Sequence, residues 1–158
     1  MKLTYKDLTI EISHLSRNDI LEDWRWMIGE DMNPVMVTSI GDVFLQSELG
    51  NIFWLDVGGG ELTKVADSFD EFRSKLNDDE IANEWFMFNL VSQIKESGLE
   101  LEDGKLFGYK KLPVIGGEYH SDNFELTDIS IHFSLAGQIH RQIRDLPDGT
   151  KVNIKFKK

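Results

Sequence analysis

The sequence predicts an α+β domain in which an antiparallel sheet of about four to six strands packs against helices. Three observations carry that expectation. From Val35 to Ala66 the apolar residues recur with a period of two, in short runs broken by glycine-bearing turns. From Ile81 to Ile94 they recur at helical spacing behind a capping signal. The 158 residues, 41% hydrophobic and 28% charged, suit a single globular domain spanning 1–158.

Taken in order, Leu3 to Leu15 is short and mixed, with material for one helical turn and a short strand. Ser16 or Asn18 reads as an N-cap, with Asp19, Glu22 and Asp23 in the turn where the helix dipole favours acids. Ile20, Leu21, Trp24, Met27 and Ile28 then form the apolar stripe of a helix that ends near Gly29. Trp26 does not share that stripe, so it is expected under the Met32–Pro34 loop or on a partner surface. Val35–Ser39, Asp42–Gln46, Asn51–Asp56 and Leu62–Ala66 read as a meander over 35–66. Its turns fall at Ile40–Gly41, Ser47–Gly50 and Gly58–Gly60. Apolar residues on both faces require helices over at least one of them.

Ser68 and Glu71 form a capping box before a short helix carrying Phe69, Phe72 and Leu76. A second signal at Asn77–Glu80 opens what reads as the longest helix, running through Trp85, Phe88, Val91 and Ile94 to a C-cap at Gly98. Leu106–Tyr109 reads as a strand and Lys110–Asn123 as irregular. Ile129, Ile131 and Phe133 alternate with polar neighbours, which predicts a strand over 126–134. Ser134 would cap a last helix with Leu135, Ile139, Ile143 and Leu146 on one side and Pro147 as its stop. Val152, Ile154 and Phe156 alternate with lysines, as in a guarded edge strand or a plain basic tail.

Charge and composition narrow the function classes. Acidic residues outnumber basic ones 28 to 17, for a net charge of −11. Such a field disfavours nucleic acid and anionic membranes and favours a basic partner. Zero cysteines exclude disulfides and thiolate chemistry. With no apolar run long enough for a span and no signal-like start, a cytoplasmic location is expected.

The stretch Gly108–Leu146 holds three of the four histidines, so it is where chemistry is first sought. Gly116, Gly117, Glu118, Tyr119, His120, His132 and His140 form a possible loop site. Imidazole with a carboxylate suits a metal such as zinc, but no metal-ligand spacing motif occurs and hydrogen-bonded histidines are the expected reading. Gly58–Gly60 lacks the lysine and hydroxyl of a phosphate loop and reads as a hairpin turn. No nucleophile elbow is present. No catalytic residue, metal or cofactor is therefore assigned. Between Asp67 and Glu84 seven acids face only Arg73 and Lys75. Helix capping explains some of them, and Asp70, Glu71, Asp78, Asp79 and Glu80 are the candidate partner-binding residues.

The order of GDVFLQSELGNIFWLDVGGGELTKVADSFDEF, EWF, LPVIGGEY and SIHFSLAGQIHRQIRDLPDGT resembles the C-terminal domain of bacterial type VI secretion DNase-toxin immunity proteins, often found after a GAD-like domain. The resemblance spans about Leu21–Thr150. It implies a small cytoplasmic α+β domain without catalytic residues or cofactor, which neutralises a toxin by binding it. The first 20 or so residues are too few for a full GAD-like domain, so a stand-alone relative is expected. Two functions follow: a non-enzymatic immunity-type inhibitor whose acidic surface meets a cognate basic toxin, expected to be a nuclease; or a small-ligand or metal-dependent enzyme on the 116–140 loop–strand–helix unit.

Overall fold

The computed structural model describes residues 2–157. Its centre is a five-stranded antiparallel sheet in the order β1-β2-β3-β4-β5, comprising β1 (Thr9–Ile10), β2 (Asn33–Thr38), β3 (Val43–Gln46), β4 (Ile52–Asp56) and β5 (Glu61–Ala66). The predicted meander is borne out, and β1, directly after the one-turn helix α1 (Tyr5–Leu8), adds a short edge strand. Register follows the sequence pattern: Phe44 pairs with Trp54, Val43 with Leu55 and Leu45 with Phe53. Because side chains alternate along a strand, Phe44 and Trp54 face one way and Val43, Leu45 and Leu55 the other.

Each face has its own core. On one side Phe44 packs with Phe72 and Trp85 at ring separations of 4.9 and 5.1 Å, together with Val91 and Ile94. These come from α4 (Phe69–Lys75), α5 (Asp79–Phe86) and α6 (Phe88–Glu96). On the other side Val37, Val43, Leu45 and Leu55 meet Ile20, Leu21, Trp24, Phe133 and Ala136. These come from α2 (Arg17–Leu21), the 3-10 turn Glu22–Trp24 and α7 (Ile129–Ile143). Burial of both faces explains why every strand of the meander carries apolar residues at odd and even positions. A two-stranded antiparallel sheet, β6 (Lys105–Tyr109) with β7 (Phe124–Asp128), joins the larger one through the bond from the Phe107 amide to the Ser39 carbonyl (2.8 Å).

The helical expectations need several corrections. The stretch expected as one helix after Ser16 is bent: α2, the 3-10 turn and α3 (Arg25–Ile28) follow one another, with Ser16 as the cap and Gly29 (φ 77°) as the stop. Trp26 lies against Trp24 with Arg144 over its ring.

The long helix expected from Asn77 to Gly98 is two helices, broken at Met87 with φ 53°. At roughly 100° per residue, the buried set Ala82, Trp85 and Phe86 would point some 130° away from Leu90, Val91 and Ile94 on an unbroken helix. The left-handed Met87 re-aims the second set so that both reach one core.

The strand expected over 126–134 ends at Asp128, and α7 starts at Ile129. Three alternating residues also satisfy a helix when the positions between them are read. Ile129, His132, Phe133 and Ala136 are buried, and Ile131 is exposed. Ser134 is therefore inside the helix and is not its cap. The buried face runs through His132, Gly137 and His140, one step round from the predicted Leu135–Ile139–Ile143–Leu146 stripe. Among the described residues the lysine-rich tail forms no strand.

Candidate functional site

The sequence-predicted loop site does not converge. Residues 110–123 fold back on themselves because Asn123 ties both arms. Its Nδ2 donates to the carbonyls of Lys111 (2.8 Å) and Glu118 (2.9 Å), and its Oδ1 accepts from the Lys111 amide (3.0 Å). Gly116 takes φ 104°, and a Cβ on Gly117 would stand 1.8 Å from the Lys111 carbonyl oxygen, so both glycines are demanded by the turn. The turn leaves Glu118, Tyr119 and His120 exposed at its end, with Tyr119 edge-on to Tyr109 (6.1 Å). The His120 Nδ1 accepts from the Asp122 amide at 3.2 Å.

His132 and His140 are elsewhere and buried, eight residues apart on the inner face of α7. Each binds a turn of the main sheet. His132 Nε2 lies 2.9 Å from the Gly41 carbonyl in the β2–β3 turn, and His140 Nε2 lies 2.7 Å from the Val57 carbonyl after β4. A carbonyl only accepts, so each Nε2 carries a proton and donates. Burial pushes His132 down to about 4 and His140 in the same direction, against the smaller pull of those carbonyls. The histidines therefore fasten α7 to two hairpin turns as neutral donors. Among the described residues no group of three His, Asp or Glu side chains is arranged to hold a metal.

A buried carboxylate stands near these turns. Asp42 accepts from the Val57 amide (3.0 Å) and from Trp54 Nε1 (3.2 Å). Burial, and then the charge of Asp56, push it up to about 8. Asp56 itself shapes the triple-glycine turn, accepting from Gly59 at its carboxylate (3.1 Å) and from Gly60 at its carbonyl (2.8 Å). Sequence reading missed Asp42 and Asn123. Asp42 follows a turn glycine where exposure is the ordinary expectation, and Asn123 acts on residues 5 and 12 positions away, beyond any local motif.

The acidic candidates sort by what already holds them. Asp78 caps α5, accepting from Glu80 and Ile81, and Glu71 binds the Asp67 amide and pairs with Lys75 (3.2 Å). The Ser68 hydroxyl caps α4 at the Glu71 amide, as expected, but the expected box does not close, because the Glu71 carboxylate takes the Asp67 amide instead of that of Ser68. Asp70, Asp79 and Glu80, with Glu84, are exposed, and their carboxylates make no ion pair among the described residues. Asp70, Asp79 and Glu80 lie in the first turns of α4 and α5, where the helix dipoles steady carboxylates without neutralising them.

Residues 66–140 match the family model described as T6SS immunity protein Tdi1, C-terminal. The expected family resemblance is thereby shown over that range, which is narrower than 21–150. The Tdi1 C-terminal match begins on the last residue of β5 and ends at His140. It takes in the acidic helices α4 and α5, the Asn123-locked loop and most of α7. A match to an immunity-protein family supports an immunity role and suggests a non-enzymatic one. No curated protein matches the chain. Among the described residues no helix is long and apolar enough to cross a membrane.

Proposed function

We propose that this protein is an immunity-type inhibitor that binds a cognate toxin, a nuclease, through the acidic surface of α4 and α5. The observation that carries this reading is the coincidence of two features. The segment matching an immunity-protein family includes the exposed carboxylates Asp70, Asp79, Glu80 and Glu84, none of which is consumed by an ion pair among the described residues. A nuclease must present cations to bind phosphates, and carboxylates spaced along two helix ends present negative charge to the same cations. The toxin's cleft is then filled by protein where nucleic acid would lie, and inhibition needs no chemical step. Encounter is steered by the field of the whole chain, with its net charge of −11.

Asp78 and Glu71 contribute charge while serving as a cap and a helix pair, so their replacement also costs stability. Asp70, Asp79 and Glu80 contribute charge and sit in the helix dipoles, but serve as neither cap nor ion-pair partner among the described residues. The test is co-expression with the basic product of the adjacent gene. Capture of that product, and survival of cells that it otherwise kills, support the reading. A toxin that neither binds the chain nor is restrained by it removes the proposal.

A further inference from the structure

The tail returns along α7, and its backbone is bonded there at Lys155 and Lys157. The Lys155 amide donates to Gln142 Oε1 (3.0 Å), and Gln142 Nε2 donates to the Lys155 carbonyl (2.6 Å). The Lys157 amide donates to Gln138 Oε1 (2.9 Å), and its ammonium pairs with Asp23. The geometry matches for a simple reason. Four residues of helix rise roughly 6 Å, and two residues of extended chain advance roughly 6.6 Å, so glutamines at i and i+4 meet alternate amides.

Part of the track is held by bonds that do not involve its occupant. Ser134 donates to Asp23 (2.6 Å), and Gln138 Nε2 donates to the Ser134 hydroxyl (3.0 Å), which fixes the row Asp23, Ser134, Gln138. The Asp23 side chain is only 10% exposed and takes a cation. Beside the row lies a groove of about 350 Å³ with the exposed Ile131 and Leu135 on its wall and Asp19 and Glu22 at its rim. The glutamines read backbone, which any sequence offers; Asp23 and the rim acids select basic residues; and the groove takes an apolar side chain between them.

The present occupant is lightly held. Val152 and Phe156 are 41% and 47% exposed, so the segment buries little apolar surface and its release is inexpensive. We propose that the Asp23–Ser134–Gln138–Gln142 track is a docking site for an extended, basic segment of a protein partner, occupied in the free chain by residues 151–157. From the immunity reading it takes only the basic character of that partner.

The experiment uses the full chain and a labelled peptide of sequence KVNIKFK, followed by fluorescence anisotropy. Lys155→Pro with Lys157→Pro removes both amide donors and frees the track. The peptide is expected to bind this variant about tenfold more tightly than the wild type, since the wild-type site is available only for the fraction of time its own segment is off. Adding Gln138→Ala and Gln142→Ala abolishes the gain, and a peptide with glutamates in place of the lysines does not bind. Native-state hydrogen exchange gives a second reading: the Lys155 and Lys157 amides exchange about tenfold more slowly in the wild type than in the Gln138→Ala, Gln142→Ala variant.

Equal peptide affinity for wild type and freed variant overturns the proposal, as does binding that survives loss of both glutamines. A wild-type dimer dispersed by the two prolines overturns it in favour of exchange of the segment between copies. Peptide binding is read without toxin, so failure to capture a toxin leaves this result standing, and failure of the peptide leaves toxin capture untouched.

Discussion

Replacing His132 by glutamine converts a buried titrating donor into one that does not titrate, and the consequence is a change in acid sensitivity. In the folded chain His132 is neutral with its pKa pushed down to about 4, and in the unfolded chain it returns to about 6.5. Above pH 6.5 neither state is protonated, and the full contribution to stability is present. Between 6.5 and 4 the unfolded chain binds a proton that the folded chain refuses, so stability falls as pH falls, by up to about 1.4 kcal/mol per pH unit. From pH 6.5 to 5 this amounts to roughly 2 kcal/mol, with no discount for solvent because the ring is buried.

The His132→Gln variant retains an N–H for the Gly41 carbonyl. It begins less stable at pH 7.5 by about 1–2 kcal/mol for imperfect packing. Its stability then falls less steeply with acid, so the gap from wild type closes by roughly 2 kcal/mol by pH 5. Urea unfolding followed by tryptophan fluorescence at a series of pH values measures that double difference, from which Asp42 and the other groups cancel. Parallel curves for the two proteins would refute the assignment of His132 as a buried neutral donor.

Asp42 has the opposite sign. Its folded pKa near 8 lies above its unfolded value, so its contribution is present below about pH 4 and lost as pH rises to about 8. Asp42→Asn should flatten the wild-type decline between pH 6.5 and 8, and an unchanged decline in urea midpoints would count against it. Gly41 has φ 87°, and a Cβ there would stand 2.1 Å from His132 Nε2. Gly41→Ala should therefore cost about 2 kcal/mol or more by denaturant unfolding, and a loss below about 0.5 would contradict the close approach. Asn123→Ala leaves two carbonyls and an amide of the 110–123 loop without partners. These groups are exposed and water can replace the lost partners, so the change should cost about 0.5–1.5 kcal/mol and speed exchange of the Lys111 amide; an unaltered Lys111 rate would argue against the lock.

The sheet was readable because its turns are local and both faces are buried, so strand after strand showed apolar residues between glycines. The helices were less readable, because the deciding contacts are remote. Nothing within 77–98 announces the left-handed Met87. The break follows from where Phe44 and Trp54 place the core. Likewise Ile129–Phe133 satisfies both periods over five residues, and only the turns at Gly41 and Val57, which receive His132 and His140, decide for helix. The candidate site divides in the same way. Acids near helix starts were visible as a pattern, but which of them are spent on caps and pairs depends on Lys75 and on the Asp67 and Ile81 amides. Asp42 gave no sequence signal, since its partners are Trp54 on the neighbouring strand and Val57 in the turn that follows it.

The central claim, that free carboxylates on α4 and α5 meet a basic toxin, is tested most directly by association kinetics. The wild type is compared with the Asp70→Asn, Asp79→Asn, Glu80→Gln variant against the co-expressed toxin at two salt concentrations. These exposed side chains carry no ion pair among the described residues and give up only their interaction with the helix dipoles, so the variant should stay folded with a loss of about 1–3 kcal/mol. Its association rate should fall on the order of tenfold at low salt and converge toward the wild-type rate at high salt. Identical rates for the two proteins at low salt would contradict the account.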